Sequence, residues 1–537
     1  MGSSASQSAA PVEYPDHIDA AVLKIAGVVV LGAIMSILDI TVVNVALPTF
    51  QRVFGEGGHE LEYSRVAWTV TAYTLALATV IPLTGWAADR FGTKRLYITA
   101  IFLFTVGSGL CATAWDINAL IGFRVLQGLG GGMLMPLGMT ILTRAAGPAR
   151  MGRLMAILGV PMLLGPIMGP ILGGWLIQIA SWHWIFLINV PLGVVAITYA
   201  WLALDKDAPE PSESFDVVGM VLMSPGLALF LYGVSSLPGH GGDVGNPHVW
   251  LPGAAGLLLM GSFVWWSFRP RHPLLDLRLL ANRNLAISLG TMFLFAGAFF
   301  GGLLLVPTYF QQVRGESTLH AGLLVAPQGL GAMMTMPIAG RLSDRVPIGR
   351  IVPVGILLIL IGMFGLTQIS DTTAYPAIIA MLLVMGWGMG GTMMPIMTTA
   401  LRTLRAHEVA RGSTLLNINQ QIASSVGVAT MSVLLTNHLK DSPVIPGTTR
   451  LPGFPGGLNE TTAAILKNTQ PEIFARLHLD PAAVAAGMTR AASAFAETYW
   501  VAWAVILVAL VPALLLPRRH EETPSPDTAD QPPVTTH

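Results

Sequence analysis

"PLTGWAADRFGTKR", residues 82–95, ends an apolar run and crowds Asp89, Arg90, Lys94 and Arg95 into one short segment. The same frame returns at 337–350 as "PIAGRLSDRVPIGR". Pro82, Gly85, Asp89, Arg90 and Arg95 recur as Pro337, Gly340, Asp344, Arg345 and Arg350, each 255 positions later. Further pairs keep the same order: "GGMLMPLGMT" (131–140) with "GGTMMPIMTT" (390–399), and "LPTF" (47–50) with "VPTY" (306–309), both at an offset of 259. Two halves of one chain are therefore built on one plan. Repeated halves around a central binding site are a common route to alternating access in transporters.

The solvent for this plan is set by composition. Of 537 residues, 53% are hydrophobic and 11% charged, against about a quarter charged in soluble domains. Apolar runs of about 20 residues match the hydrocarbon thickness of a bilayer when helical. They lack the alternation of a transmembrane β-barrel. Fourteen such runs are read: 22–47, 66–86, 96–115, 118–140, 154–177, 184–204, 216–236, 250–268, 285–309, 318–340, 350–369, 374–398, 413–436 and 495–516. Spans one to six echo spans nine to fourteen, and spans seven and eight are an insert. The fold class expected is an all-α membrane protein with two pseudo-symmetric six-helix bundles and two inserted helices.

Basic residues favour the cytoplasmic side. With the N-terminus inside, the inner segments carry nineteen Lys and Arg, and the short outer loops carry three (Arg52, Arg65 and Arg314). Both termini are accordingly placed in the cytoplasm of a multi-pass protein in the inner (plasma) membrane. The first 20 residues lack a basic n-region and a small-residue cleavage site, so no removable signal peptide is read. "MGSSAS" fits the loose myristoylation pattern, but a many-spanning chain needs no lipid anchor. The expected organisation is a tail 1–20, a bundle 21–205, the insert 206–284, a second bundle 285–516 interrupted by an outer loop 437–494, and a disordered tail 517–537. That loop is rich in Pro and Gly at first and reads as helical from about 471 to 494. Cys111 is the single cysteine, and it lies in an apolar run, so no disulfide framework is expected.

Two charges lie deep in spans, Asp39 within "SILDITVVNVALP" (36–48) and Arg124 within "RVLQGLGGG" (124–132). Each costs roughly 2.5–3.5 kcal/mol at a helix centre on the translocon scale, and such residues face a cavity or a partner. The repeat supplies a control: at the 259 offset Asp39 corresponds to Ala298 and Arg124 to Leu383. The charges are not needed merely to build a six-helix half. By 3.6-residue periodicity Gly32, Ser36, Asp39 and Val43 share one helical face, and Arg124, Gln127, Gly128 and Gly131 another. Burial favours a neutral acid and a nearby cation favours the ionised one. An acid opened in turn to two compartments can take up and release a proton. The plainer alternative is a structural Asp39–Arg124 ion pair.

In the fifth span Gly165, Gly169 and Gly173 recur every four residues, a small-residue face that lets helix backbones approach. Pro161, Pro166 and Pro170 lie in the same span and should bend it. Asn417, Gln420, Gln421 and Ser424 form an uncharged polar stripe on the thirteenth span. Methionines such as Met393, Met394 and Met397 suit a surface that repacks around varied apolar ligands. Ser36, Tyr73, Gln127, Met394, Asn417, Gln420 and Gln421 are therefore expected to line the substrate cavity.

The segment "GWAADRFGTKR" resembles the signature of the cytoplasmic loop after helix 2 in the major facilitator superfamily. "LDITVVNVALP", "RVLQGLGGG" and "GVPMLLGPIMGPILGGW" are similar to the helix 1, 4 and 5 motifs of its fourteen-helix drug:proton antiporters of the EmrB/QacA type, and "WHWIFLINVPLG" fits helix 6. The resemblance covers nearly all of residues 20–516. It implies the major facilitator fold, a proton-coupling role for Asp39 and a part for Arg124 in proton or substrate handling. It also implies a gating loop of Gly85, Asp89, Arg90, Lys94 and Arg95. There Asp89 and Arg90 latch the halves in the outward-facing state, and Gly85 permits close packing. Gly165, Pro166, Gly169 and Gly173 would form the antiporter motif that blocks leakage.

An ATP-driven pump would need a phosphate loop of the GxxxxGK[ST] type, and the chain has none. The twelve histidines are scattered and form no ligand pair. Neither an enzyme activity, nor a cofactor, nor a metal site is expected. The expectation is a proton-coupled antiporter exporting apolar or cationic small molecules by alternating access, or alternatively an exporter or flippase of a native lipid, siderophore or metabolite on the same fold. A membrane sensor or intramembrane enzyme is the less favoured reading, since it would leave the two-fold repeat and the asymmetric charges unexplained. Its expected partners are that small molecule, protons and membrane lipid. Nucleic acid is not among them, the chain is expected as a monomer, and a periplasmic adaptor is left unassigned.

Overall fold

The computed structural model describes residues 20–55, 61, 63–146, 151–205, 215–270, 272–343, 345–402, 404–405, 408–440 and 481–518. Among these, every regular element is helical. Asp344 of the repeat, positions 441–480 of the predicted outer loop and most of both tails lie outside the described residues.

The long helices are α1 Ala20–Val53, α2 Tyr63–Phe91, α3 Thr93–Cys111, α4 Ile117–Ala146 and α5 Met151–Ile179. Next come α6 Trp184–Ala203, with a turn at Ile188, then α7 Val217–Ser236, α8 Pro247–Ser267, α9 Arg283–Gln312, α10 Thr318–Ser343 and α11 Ile348–Leu366. Last are α12 Tyr375–Arg402, interrupted by a turn at Gly391 and Thr392, α13 Val409–Lys440 and α14 Pro481–Leu514. Among the described residues, thirteen helices are long and apolar enough to cross a membrane. The 29-residue α5 occupies the fifth predicted span. The chain is a multi-pass membrane protein.

The last span differs from its sequence expectation. Its helix begins at Pro481, because the alanine-rich "PAAVAAGMTRAASAFA" carries strong helix formers straight into the apolar run. The helix foreseen within the outer loop is thus, from 481 on, the first turns of α14.

Glycines decide how closely the first six helices pack. On α4, Gly128 and Gly132 face α2, where an added Cβ would meet the carbonyls of Tyr73 and Leu77, both at 2.6 Å. Gly130 faces α3, where it would meet the backbone nitrogen of Phe104 at 2.5 Å. Gly107 of α3 returns the contact: its Cβ would lie 2.7 Å from the Gln127 backbone. α4 is therefore clamped against two neighbours at backbone distance. The second half repeats the scheme, with α12 against α10 and α11. Gly390, 259 positions after Gly131, would run into Thr335 of α10, as Gly131 would run into Tyr73 of α2. α13 lies on α9 as α5 lies on α1.

The halves meet along α5 with α10 and α12, and along α13 with α2 and α4. α13 and α2 touch near the ends that carry Arg411 and Arg90, the basic end of the bundle. The inserted α7 and α8 pack mainly on each other, and α7 lies against both α2 and α13. Many apolar side chains face outward, among them Leu257, Leu258 and Trp265 of α8, as the lipid-facing side of a span requires.

Candidate functional site

α1, α2 and α4 bring five of the sequence-predicted residues into one buried cluster: Ser36, Asp39, Tyr73, Arg124 and Gln127. Arg124 and Gln127 are fully buried, Asp39 is 2% exposed and Ser36 3%. Arg124 Nη1 donates to Asp39 Oδ2 at 2.5 Å and to Gln127 Oε1 at 2.8 Å. Gln127 Nε2 donates to Asp39 Oδ1 at 2.7 Å. Both carboxylate oxygens thus accept, which is how an ionised acid is satisfied. The guanidinium is fixed from its other side: Nε donates to the Thr69 carbonyl at 3.1 Å, and the Tyr73 ring lies 4.1 Å from Cζ. The Tyr73 hydroxyl is in turn 3.2 Å from Ser36 Oγ.

The local sequence explains the geometry. Arg124 and Gln127 are three apart on α4 and so neighbour each other. Gly128 and Gly131, on the same face, make room for the Tyr73 backbone and hydroxyl. Without those glycines α2 would stand too far off for Tyr73 to lie over the guanidinium. Sequence reasoning missed the Thr69 carbonyl, Phe186, whose ring is 5.8 Å from Arg124 Cζ, and Cys111, whose thiol donates to Gln127 Oε1 at 3.5 Å.

The gating-loop residues lie elsewhere, at the basic end. Asp89 stands between Arg144 Nη2 at 3.6 Å and Arg411 Nε at 3.9 Å. Arg144 belongs to the same half and Arg411 to the other, so the carboxylate bridges the seam. Gly85 lies where α2 meets α13: its Cβ would be 3.2 Å from Thr414 Oγ1 and 3.5 Å from the Arg411 Cα. Beside it Thr140 Oγ1 and Ser413 Oγ are 3.0 Å apart, and Ser413 also donates to the Pro136 carbonyl at 3.2 Å. Arg144, Arg411 and Ser413 carry no distinguishing motif, and Thr140 only closes the repeated stretch 131–140. Lys94 does something else. Its ammonium donates to the carbonyl of Trp201 at 2.8 Å and to that of Leu204, closing the C-terminal turn of α6. Arg90 is partly buried and Arg95 exposed.

On α5, Gly165, Gly169 and Gly173 are buried against α1, facing Ile37, Thr41 and Val42 in turn. Pro166 lies on α5, and its side chain is outside the described residues. Met394 is buried on α12, beside Gly159 of α5. Asn417 donates to the Ser413 carbonyl at 2.7 Å and approaches Met139 Sδ across the seam at 3.3 Å. Gln420 and Gln421 are half-buried farther along α13.

Known proteins agree with this architecture. The sequence profile described as "Major Facilitator Superfamily" matches residues 29–428. A Mycobacterium tuberculosis protein named "Multidrug resistance protein B homolog" is 45% identical over 514 residues, covering 94% of this chain and 92% of its own. The "Multidrug export protein EmrB" of Haemophilus influenzae is 30% identical over 411 residues, covering 76% and 79%. In fold alone, the chain is similar to the human organic anion transporter MFSD10 (TM-score 0.57, 15% identity, covering 92% of this chain and 100% of that one). It is likewise similar to the proton:xylose symporter XylE (TM-score 0.55, 15% identity, covering 91% and 94%). With two homologous helical halves, a transmembrane composition and a match across most of its length, the chain belongs to the Major Facilitator Superfamily of membrane transporters.

Proposed function

We propose that this transporter exports small apolar or monocationic molecules across the inner membrane in exchange for protons, with Asp39 as the proton-binding group. The basic end faces the cytoplasm, and the described arrangement, held at that end through Asp89, Thr140 and Ser413, is the outward-facing one. The observation that carries the reading is the buried Asp39–Arg124–Gln127 cluster, present in one half and replaced by Ala298 and Leu383 at the equivalent positions of the other. The names of the relatives, a multidrug resistance homologue and a multidrug exporter, support drug-like cargo.

The cluster is a two-state element. While Asp39 is ionised, it holds α1 to α4 through Arg124 and Gln127. A proton on Asp39 cancels one charge of the pair and leaves a buried guanidinium uncompensated, a change worth several kcal/mol in such environments. Loading Asp39 from outside therefore favours another arrangement of these helices, and release inside resets it. A single deep acid suits monocations and neutral cargo better than dications.

The test is export of a radiolabelled lipophilic cation from proteoliposomes with and without an imposed pH gradient. Wild type should respond to the gradient, and Asp39→Asn should lose the response while still binding cargo. Gradient-driven export undiminished in Asp39→Asn would sink the proposal. Running phospholipid, siderophore and metabolite cargoes in parallel separates drug export from export of a native compound.

A further inference from the structure

The inserted helices end, at the basic end, in "WWSFRPRHPLLDLRLLANR" (265–283), which holds four arginines and one acid. We infer that the junction of α8 with this linker is a seat for the headgroup of an anionic phospholipid, built by Trp265, Arg269 and Arg278. Arg269 and Arg278 are both exposed, yet neither is loose. Arg269 Cζ lies 3.4 Å from the centre of the Trp265 ring. Arg278, nine positions on, folds back so that Nη2 donates to the Phe268 carbonyl at 2.9 Å. Two guanidinium groups thus converge on the last turn of α8.

Depth and charge select the ligand. The outer face of α8 runs through Leu257, Leu258, Val264 and Trp265, all exposed and apolar. That face belongs to lipid, and the arginines begin where it ends, at headgroup level. Trp is enriched at that interface, and basic clusters beside spans on the cytoplasmic side attract anionic headgroups. Planar guanidinium forks match phosphate oxygens in bidentate geometry. The nearby acids are already engaged by backbone amides and an indole. Asp216 accepts from Gly219 N, Leu274 N and Trp266 Nε1, and Asp276 accepts from Arg278 N.

A plainer role for Arg278 is to cap the end of α8. That role uses one of its five N–H donors and gives no reason for Arg269 to lie on an exposed tryptophan. Arg518 provides the contrast: it reaches the Leu514 carbonyl at the end of α14, with no aromatic ring beneath it among the described contacts.

The experiment is native mass spectrometry of the detergent-purified full chain, titrated with phosphatidylglycerol, phosphatidylcholine and free glycerol 3-phosphate. Wild type should retain phosphatidylglycerol selectively. Arg269→Gln/Arg278→Gln should bind it on the order of 30-fold more weakly, the loss expected for two headgroup contacts, and Arg518→Gln should bind as wild type. Trp265→Leu, which keeps both charges, should weaken binding several-fold and stands in if the double variant does not remain monodisperse. Undiminished binding by both the double variant and Trp265→Leu overturns the inference. So does an equal loss in Arg518→Gln, equal retention of phosphatidylcholine, or displacement of the lipid by glycerol 3-phosphate.

Discussion

The hydroxyls of Thr140 on α4 and Ser413 on α13 lie 3.0 Å apart across the seam between the two halves. If the basic end opens during transport, this pair must separate. Cysteines at both positions should therefore form a disulfide that blocks export, with reduction restoring it. The background is simple, because Cys111 is the single native cysteine and is buried. Non-reducing electrophoresis, with export measured before and after reductant, checks both parts. Full export by the cross-linked protein would show that the seam does not open there.

Removing either member of the Asp39–Arg124 pair leaves the other buried and uncompensated. Asp39→Leu and Arg124→Leu should each cost about 3–5 kcal/mol. The double variant should recover much of that stability and none of the proton-driven export. Thermal unfolding in detergent, alongside vesicle flux, makes the comparison. Recovery of both quantities together would assign the pair a purely structural role.

Gly169 and Gly174 stand five residues apart on α5 and should respond oppositely to alanine. A Cβ on Gly169 would strike Thr41, whose backbone carbon would be 3.0 Å away. The helices must separate, at a cost of about 1–3 kcal/mol typical of overpacking. Nothing lies within 4 Å of a Cβ on Gly174, so alanine there should be neutral or gain up to about 1 kcal/mol of helix propensity. Melting temperatures measure the difference, and proton leak through Gly169→Ala vesicles reports whether the α1–α5 contact is also a seal.

Lys94 separates anchoring from gating at the α2–α3 junction, where it stands in the first turn of α3 and Asp89 in the last turn of α2. Lys94→Met removes the donor that closes the α6 terminus and should lower stability by about 1.5–3 kcal/mol, as loss of a charged hydrogen bond does. The apparent KM for cargo should stay unchanged, and Lys94→Arg should restore stability. Asp89→Asn should do the reverse, altering transport kinetics with little change in melting temperature.

Much of the fold was legible because lipid imposes a simple grammar: apolar runs of fixed length, basic residues between them and a repeat in register. Asp39 and Arg124 were legible as buried charges because a lone charge in an apolar run is costly enough to demand a partner. The four-residue spacing of Gly165, Gly169 and Gly173 likewise announced a helix contact. What the residues did not announce were the partners. The Thr69 carbonyl on Arg124 comes from a backbone that every residue shares. Arg411 reaches Asp89 from more than 300 positions away, and Thr140 and Ser413 are ordinary hydroxyls until the halves meet. Lys94 looked like one more charge in a charged loop, because the C-terminus it closes belongs to α6, which is remote in sequence.

Trp68 of α2 stacks on Tyr232 of α7, with ring centres 5.5 Å apart, and near the same end of α7 Gly242 nestles against Val433 of α13. α7 thus straddles the hinge line like a strap sewn to both sides. When one half tilts against the other, such a strap must stretch, slide or let go of one seam. The inserted pair would then act as a tensioner, setting how far the rocking can travel, a restraint that two bundles without the insert would lack.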